Sequence, residues 1–258
     1  MEVEENKKEQ LLVRTYNDRG QLGKDAAEIV SKKIQELQQE KEYVYIVFAS
    51  APSQNEFLAT LGRDQNIDWK KVVAFHMDEY IGLDLAHPQS FGYFLKKSLF
   101  DKVPIHEVHY IQGNADDIEK ECERYEQLLR THPVDIVCMG IGENTHIAFN
   151  DPHVANFEDP NWVKIVDLDD KSRQQQVNDG CFASFDEVPT HAVTLTVPAL
   201  VEGKFLYCMV PGKNKAKAIY HTLYEDIGAQ YPSTILRKHQ NALLFIDKES
   251  AQQLPASV

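Results

Sequence analysis

Residues 134–152 read VDIVCMGIGENTHIAFNDP, and this stretch decides the fold. Val134 to Met139 is apolar on both faces, the pattern of a strand buried inside a parallel sheet. Gly140 and Gly142 then break it, and Glu143, Asn144, His146, Asn150 and Asp151 follow. In an open α/β sheet, ligands bind at the carboxyl ends of the strands. A histidine among amides and carboxylates at such a place is a plausible acid–base set.

The same grammar recurs on either side. Tyr43 to Phe48 (YVYIVF) is a short apolar run ended by Ser50-Ala51-Pro52-Ser53-Gln54. Val72 to Phe75 is another, followed at once by His76-Met77-Asp78-Glu79-Tyr80. Further strands are expected at 163–168, 192–197, 205–210 and 242–246. Helices are expected at 25–39, 55–61, 88–99, 116–131 and 214–223. Strands alternating with helices imply a single-domain, Rossmann-like α/β fold with a mostly parallel sheet and helices on both faces. Residues 1–10 (MEVEENKKEQ) are charged and read as a loose N-terminal tail, with residues 11–258 as one domain. Gln174 to Pro189 is polar and irregular, the pattern of a lid or binding loop.

Composition narrows the function classes. The 258 residues carry a formal net charge of −13, which argues against nucleic acid or an anionic membrane as partner. No apolar stretch approaches the roughly 20 residues that span a bilayer, and the N-terminus lacks an apolar signal core, so a cytoplasmic location is expected. Cys122, Cys138, Cys181 and Cys208 show no metal spacing, and Cys138 and Cys208 sit within strand patterns as reduced core residues. Neither a nucleotide loop nor a metal motif is present, so no metal or cofactor is expected.

Three strand ends, after Phe48, Phe75 and Met139, carry polar clusters. In a parallel sheet they share one edge. Asp78 and Glu79 either cap the next turn or supply a carboxylate base. Among Phe75, Met77 and Tyr80, such a carboxylate is desolvated and holds its proton more tightly. His146 is either a structural histidine or an acid–base group, and Asp151 before Pro152 either a turn residue or its partner. Lys213, Lys215 and Lys217 after Pro211-Gly212 form either a solvated basic face or an anion grip at a helix start.

Phe75–Leu83 (FHMDEYIGL) and GIGENTHIAFNDP resemble the two signature motifs of the glucosamine-6-phosphate deaminases, also called isomerases. HPQSFGYFL (87–95), QGNADDIEKECERYE (112–126), VPTHAVTLTVPAL (188–200) and PGKNKAKAI (211–219) are similar at matching spacing, over about residues 10–250. The 6-phosphogluconolactonases share that fold but show a Gly-Asp-Glu-Arg form of the first motif, so MDEY points to the deaminases. The resemblance implies conversion of glucosamine 6-phosphate to fructose 6-phosphate and ammonia without metal or cofactor, in a homo-oligomer. Carried over by position, it implies Asp78 as the base moving a proton between C2 and C1. His146 then opens the sugar ring, with Asp151 orienting it, and Lys215 binds the phosphate.

Four departures stand out. Asn144 replaces an aspartate, and an amide orients an imidazole without adding charge; Glu143 is the adjacent carboxylate that could compensate. Asp151 is one methylene shorter than the family's glutamate. Ser50, Ala51, Ser53 and Gln54 replace a Gly-Gly-Thr phosphate loop. The phosphate-binding arginine has no counterpart, and Arg173 is the nearest substitute, with Glu79 beside the base as a further binding residue. These departures leave open the same chemistry on galactosamine 6-phosphate or another sugar, a 6-phosphogluconolactonase-type hydrolase, or a sugar-phosphate sensor without turnover.

Overall fold

The computed structural model describes residues 3–255. Its elements are β1 (Glu4–Lys8), β2 (Leu11–Tyr16), α1 (Arg19–Glu40), β3 (Val44–Phe48), α2 (Asn55–Leu61), β4 (Val72–His76), β5 (Asp78–Tyr80), α3 (Phe91–Ser98), β6 (Glu107–His109), α4 (Ile118–Thr131), β7 (Ile136–Met139), β8 (Val163–Asp167), α5 (Asp170–Asn178), β9 (His191–Leu195), α6 (Val197–Val201), β10 (Phe205–Val210), α7 (Ala216–Tyr224) and β11 (Ala242–Asp247). The main sheet runs β1-β2-β11-β10-β7-β3-β4-β6, parallel throughout except for β1. This is the mostly parallel α/β sheet expected.

Helices cover both faces because successive side chains of a strand point to opposite sides. Val47, Val137 and Met139 pack with Tyr125 and Leu129 of α4 and with Ala218 and Ile219 of α7. Ile46, Phe48, Ile136 and Cys138 pack with Val30 and Ile34 of α1 and with Leu58 of α2. Each central strand therefore serves two cores, which explains its unbroken apolar run. Asp18 and Asp117 cap α1 and α4 by accepting from Gln21 N and Lys120 N.

Three features differ from expectation. The segment read as a loose tail carries β1, held antiparallel to β2 from Glu4↔Thr15 to Lys8↔Leu11. Met1 and Glu2 of that tail, and residues 256–258 of the expected domain, lie outside the described residues. A second, antiparallel sheet, β5-β9-β8, stands beside the main one. The polar stretch read as irregular from Gln174 instead begins inside α5, whose cap Asp169 accepts from Lys171 N. No helix of the described residues is long and apolar enough to cross a membrane.

Candidate active site

Strands β7, β3 and β4 are adjacent and parallel, with Phe48 in register with both Cys138 and His76. They end at one level, so the loops that follow them converge as anticipated. A cavity at this edge is lined by Ser50, Ala51 and Ser53 after β3, Asp78 after β4, Gly142 and His146 after β7, and Lys215 after β10. Gln175 and Gln176 of α5 also line it.

Asp78 opens β5 and is buried. Burial, with a smaller contribution from the neighbouring Glu79 charge, pushes its carboxyl well above the usual carboxylate range. Its backbone is pinned by His76. The His76 Nε2 must accept from Ile111 N (2.9 Å), because a backbone amide can only donate. Nδ1 is therefore the protonated nitrogen and donates to the Asp78 carbonyl at 2.9 Å. Burial pulls the His76 pKa down to about 4, which keeps this neutral tautomer. The Tyr125 hydroxyl completes the anchor by accepting from His76 N at 2.9 Å.

Glu79, expected to bind substrate, faces away from this cavity. Its carboxylate accepts from Ser90 Oγ (2.7 Å), Phe91 N (3.0 Å) and Gly92 N (2.9 Å), satisfying the start of α3. The capping alternative weighed for the Asp78-Glu79 pair describes Glu79's position, while Asp78 caps nothing there and lines the cavity.

His146 sits in a loop closed by Gly142 N to His146 O and Thr145 N to Gly142 O, both 2.9 Å. A Cβ on Gly142 would lie 2.1–2.3 Å from the imidazole ring, so only glycine lets the ring lie flat there. Thr145 pays for the turn with φ 72°, a left-handed angle that a β-branched residue rarely adopts. The His146 Nδ1 lies 2.7 Å from Asn144 Oδ1, 2.9 Å from Ser172 Oγ and 3.0 Å from Asp151 Oδ1. Asn144 turns its other end to Asp151, with Nδ2 donating to Oδ1 at 2.9 Å. Ser172 also donates to that carboxylate. Burial raises the Asp151 pKa, but the bonds from His146, Ser172 and Asn144 outweigh it and hold the carboxyl far below its ordinary range. The shorter aspartate thus reaches His146 without the extra methylene. With Nδ1 committed, Nε2 is the ring nitrogen left without a protein partner among the described residues.

Lys215 is 8% exposed and lines the cavity, whereas Lys213 and Lys217 are exposed. Gly212, at φ 98°, turns the chain that delivers it. Burial lowers the Lys215 pKa, and the charges of Asp179 and Glu143 pull it back up. No ion pair reaches its Nζ among the described residues, and the residue lines the cavity.

Three other predicted residues take different places. Arg173 donates to Phe185 O and Val188 O, both at 3.0 Å, and lies on the Phe185 ring at 3.9 Å, so it braces the turn after α5. Glu143 makes no bond to His146 and lines a separate cleft with Lys171 and Lys217. It does not replace the missing charge at Asn144. Gln54 donates to Met209 O at 3.3 Å and ties β10 to the loop after β3 without lining the cavity.

Sequence reading missed Ser172, Gln175 and Gln176. Their spacing of three and four places them on one face of α5, the face turned to the site. The Asp169 cap followed by this spacing was the available signal. The cavity itself measures only about 60 Å³. A groove of about 720 Å³ between α4 and β8 is larger, but it holds none of these residues.

A family profile described as glucosamine-6-phosphate isomerases/6-phosphogluconolactonase matches residues 17–245. The chain belongs to this family. It is 33% identical over 226 residues to a glucosamine-6-phosphate deaminase of Bacillus cereus, covering 88% of this chain and 84% of that one. The glucosamine-6-phosphate deaminase of Bacillus pumilus is 32% identical over 239 residues, covering 91% and 96%. Among solved structures, a monomeric glucosamine-6-phosphate deaminase superposes with a TM-score of 0.85 at 29% identity, covering 93% and 98%. The 6-phosphogluconolactonase of Thermotoga maritima superposes at 0.75 with 23% identity and shares the fold.

Proposed function

We propose that this chain is an amino-sugar-phosphate deaminase and aldose–ketose isomerase acting on glucosamine 6-phosphate or a close hexosamine phosphate. The observation that carries the reading is the meeting of a desolvated carboxyl (Asp78), an imidazole with a free Nε2 (His146) and an unpaired buried ammonium (Lys215) around one cavity. The deaminase relatives support the same chemistry.

Lys215 takes the phosphate, helped by the hydroxyls and amides of Ser50, Ser53, Gln175 and Gln176. In its protonated form His146 gives the Nε2 proton to the ring oxygen while the C1 hydroxyl proton passes to solvent, opening the sugar to the aldehyde. Asp78 takes the C2 proton and returns it at C1, while one amino proton passes to the C1 oxygen. The resulting C2 imine adds water and expels ammonia, leaving the ketose phosphate. Asn144, Ser172 and Asp151 hold the imidazole for the first step. A desolvated carboxyl suits the second, since its raised pKa brings it nearer the acidity of the carbon it serves. The reading carries with it a cytoplasmic enzyme acting on a small molecule.

The test is ammonia release and ketose 6-phosphate formation from glucosamine 6-phosphate, with galactosamine 6-phosphate and 6-phosphogluconolactone in parallel. Turnover of either amino sugar, abolished by Asp78→Asn, is expected. Hydrolysis of the lactone alone would replace this reading with a lactonase. Inactivity on all three by a folded protein would leave a binding protein without turnover.

A further inference from the structure

Among the described residues, β1 is the outer strand of the main sheet and pairs only with β2, so one row of its backbone N–H and C=O groups has no strand partner there. Such an edge templates pairing with another chain unless something blocks it. Fixed charges usually do so, and β1 consists of Glu4, Glu5, Asn6, Lys7 and Lys8. Their order, however, makes the strand complementary to itself. Two antiparallel copies centred on Asn6 set Glu4 opposite Lys8 and Glu5 opposite Lys7, in both directions. The charges that would repel an arbitrary strand attract a second β1.

A second observation lies around the same edge. Val3, Leu12, Tyr220 and Tyr224 are the large apolar side chains exposed among the described residues. All four flank β1. Leu12 pairs with Lys7 across the hairpin, and Val3 precedes β1 and faces α1. Tyr224 lies beneath Lys8, with Nζ 4.8 Å from its ring, and stacks with Tyr220 at 5.3 Å. Glu4, Asn6 and Lys8 oppose Thr15, Val13 and Leu11, the α7 side of the sheet, while Glu5 and Lys7 oppose Arg14 and Leu12 on the α1 side. Apolar surface therefore borders the edge on both faces.

We infer that this edge is the dimer interface of the chain: two copies join β1 to β1 about a two-fold axis at Asn6, forming one sheet across both. The five-residue strand alone is small against the roughly 800 Å² per partner of a stable interface. The tyrosine pair on one face and Val3 with Leu12 on the other supply the remaining contact. Glu5 keeps its bond to Arg14 (2.7 Å) and meets Lys7 of the second copy from the other side.

Sedimentation velocity on the full chain tests this, and because it reads mass it stands or falls apart from any activity. The unaltered protein is expected to dimerise, less so at high salt. Glu4→Lys places lysines opposite lysines, and Lys8→Glu places glutamates opposite glutamates. Each alone is expected to weaken dimerisation about tenfold or more. Mixed one to one, the two variants regain complementary pairs and are expected to form a heterodimer. Circular dichroism checks that both remain folded. A monomeric unaltered protein, variants that dimerise as well as it does, or a mixture that stays monomeric would each overturn the inference.

Discussion

Asn144 Nδ2 donates to Asp151 Oδ1 across 2.9 Å, so the amide binds the very carboxylate that supports His146. Asn144→Asp would exchange that donor for a second negative charge at contact distance. One carboxyl of the pair would then titrate above its unfolded value, so the penalty is absent in acid and grows as pH rises through that raised pKa. At neutral pH we expect a loss of about 1–3 kcal/mol in stability, from a broken bond to a charged group. Turnover should fall with it. Urea melts from acid to neutral pH, run beside rate measurements, check both; a variant as fast and as stable as the parent would refute this account of Asn144.

Ser172 touches both His146 and Asp151 and touches no reacting atom, which makes it a positioning residue. Ser172→Ala should lower kcat about tenfold, the equivalent of one hydrogen bond, with KM nearly unchanged. Ser172→Thr, which keeps the hydroxyl, should recover part of the rate. A KM effect without a kcat effect would place Ser172 on the substrate instead.

Asp78 is held where a charge is costly. Its folded pKa is raised, so its contribution to stability is complete below the unfolded value and is lost as pH rises through the folded one. Removing the charge should therefore stabilise the protein at neutral pH. Asp78→Asn is expected to raise Tm by about 2–4 °C at pH 7 while reducing turnover by a factor on the order of 10²–10⁴. The Tm difference should close toward acid. Scanning calorimetry across pH reads the sign directly, and a lower Tm at pH 7 would contradict it.

Lys215 shows the same conflict with the opposite charge. Lys215→Met keeps the length of the side chain and removes a buried, unpaired ammonium. The variant should melt no lower than the parent, and its KM for a sugar phosphate should rise about a hundredfold as a charged contact disappears. Inorganic phosphate should protect the parent against thermal unfolding but not the variant. Equal protection of both would move the anion site elsewhere.

The legibility of this chain followed apolar content. Strands β3, β4, β7 and β10 bury both faces, so YVYIVF, VVAF and FLYCMV stand out as runs, and the loops that follow them mark the site. Asp78, His146 and Lys215 follow such runs, and all three line the cavity at the strand ends. Helix α5 was not, because the residues it buries are Ser172 and Gln175, and a helix that turns polar side chains inward leaves no apolar period to read. Strand β1 was hidden by its charges, which are compatible with a tail and equally with a sheet edge. Glu79 and Arg173 sit within a few residues of the site in sequence, yet their side chains bond neighbouring backbone, a choice of rotamer that sequence does not encode.

The small volume between α5 and the strand ends has a kinetic meaning. A hexosamine phosphate needs several times the roughly 60 Å³ found there, so we expect the α5 side chains to move as substrate binds. If Gln175 and Gln176 swing aside with their helix for entry, the observed affinity is the intrinsic one diluted by the fraction of time they do. The association rate would then level off with ligand concentration instead of climbing, with the ceiling set by the protein's own breathing.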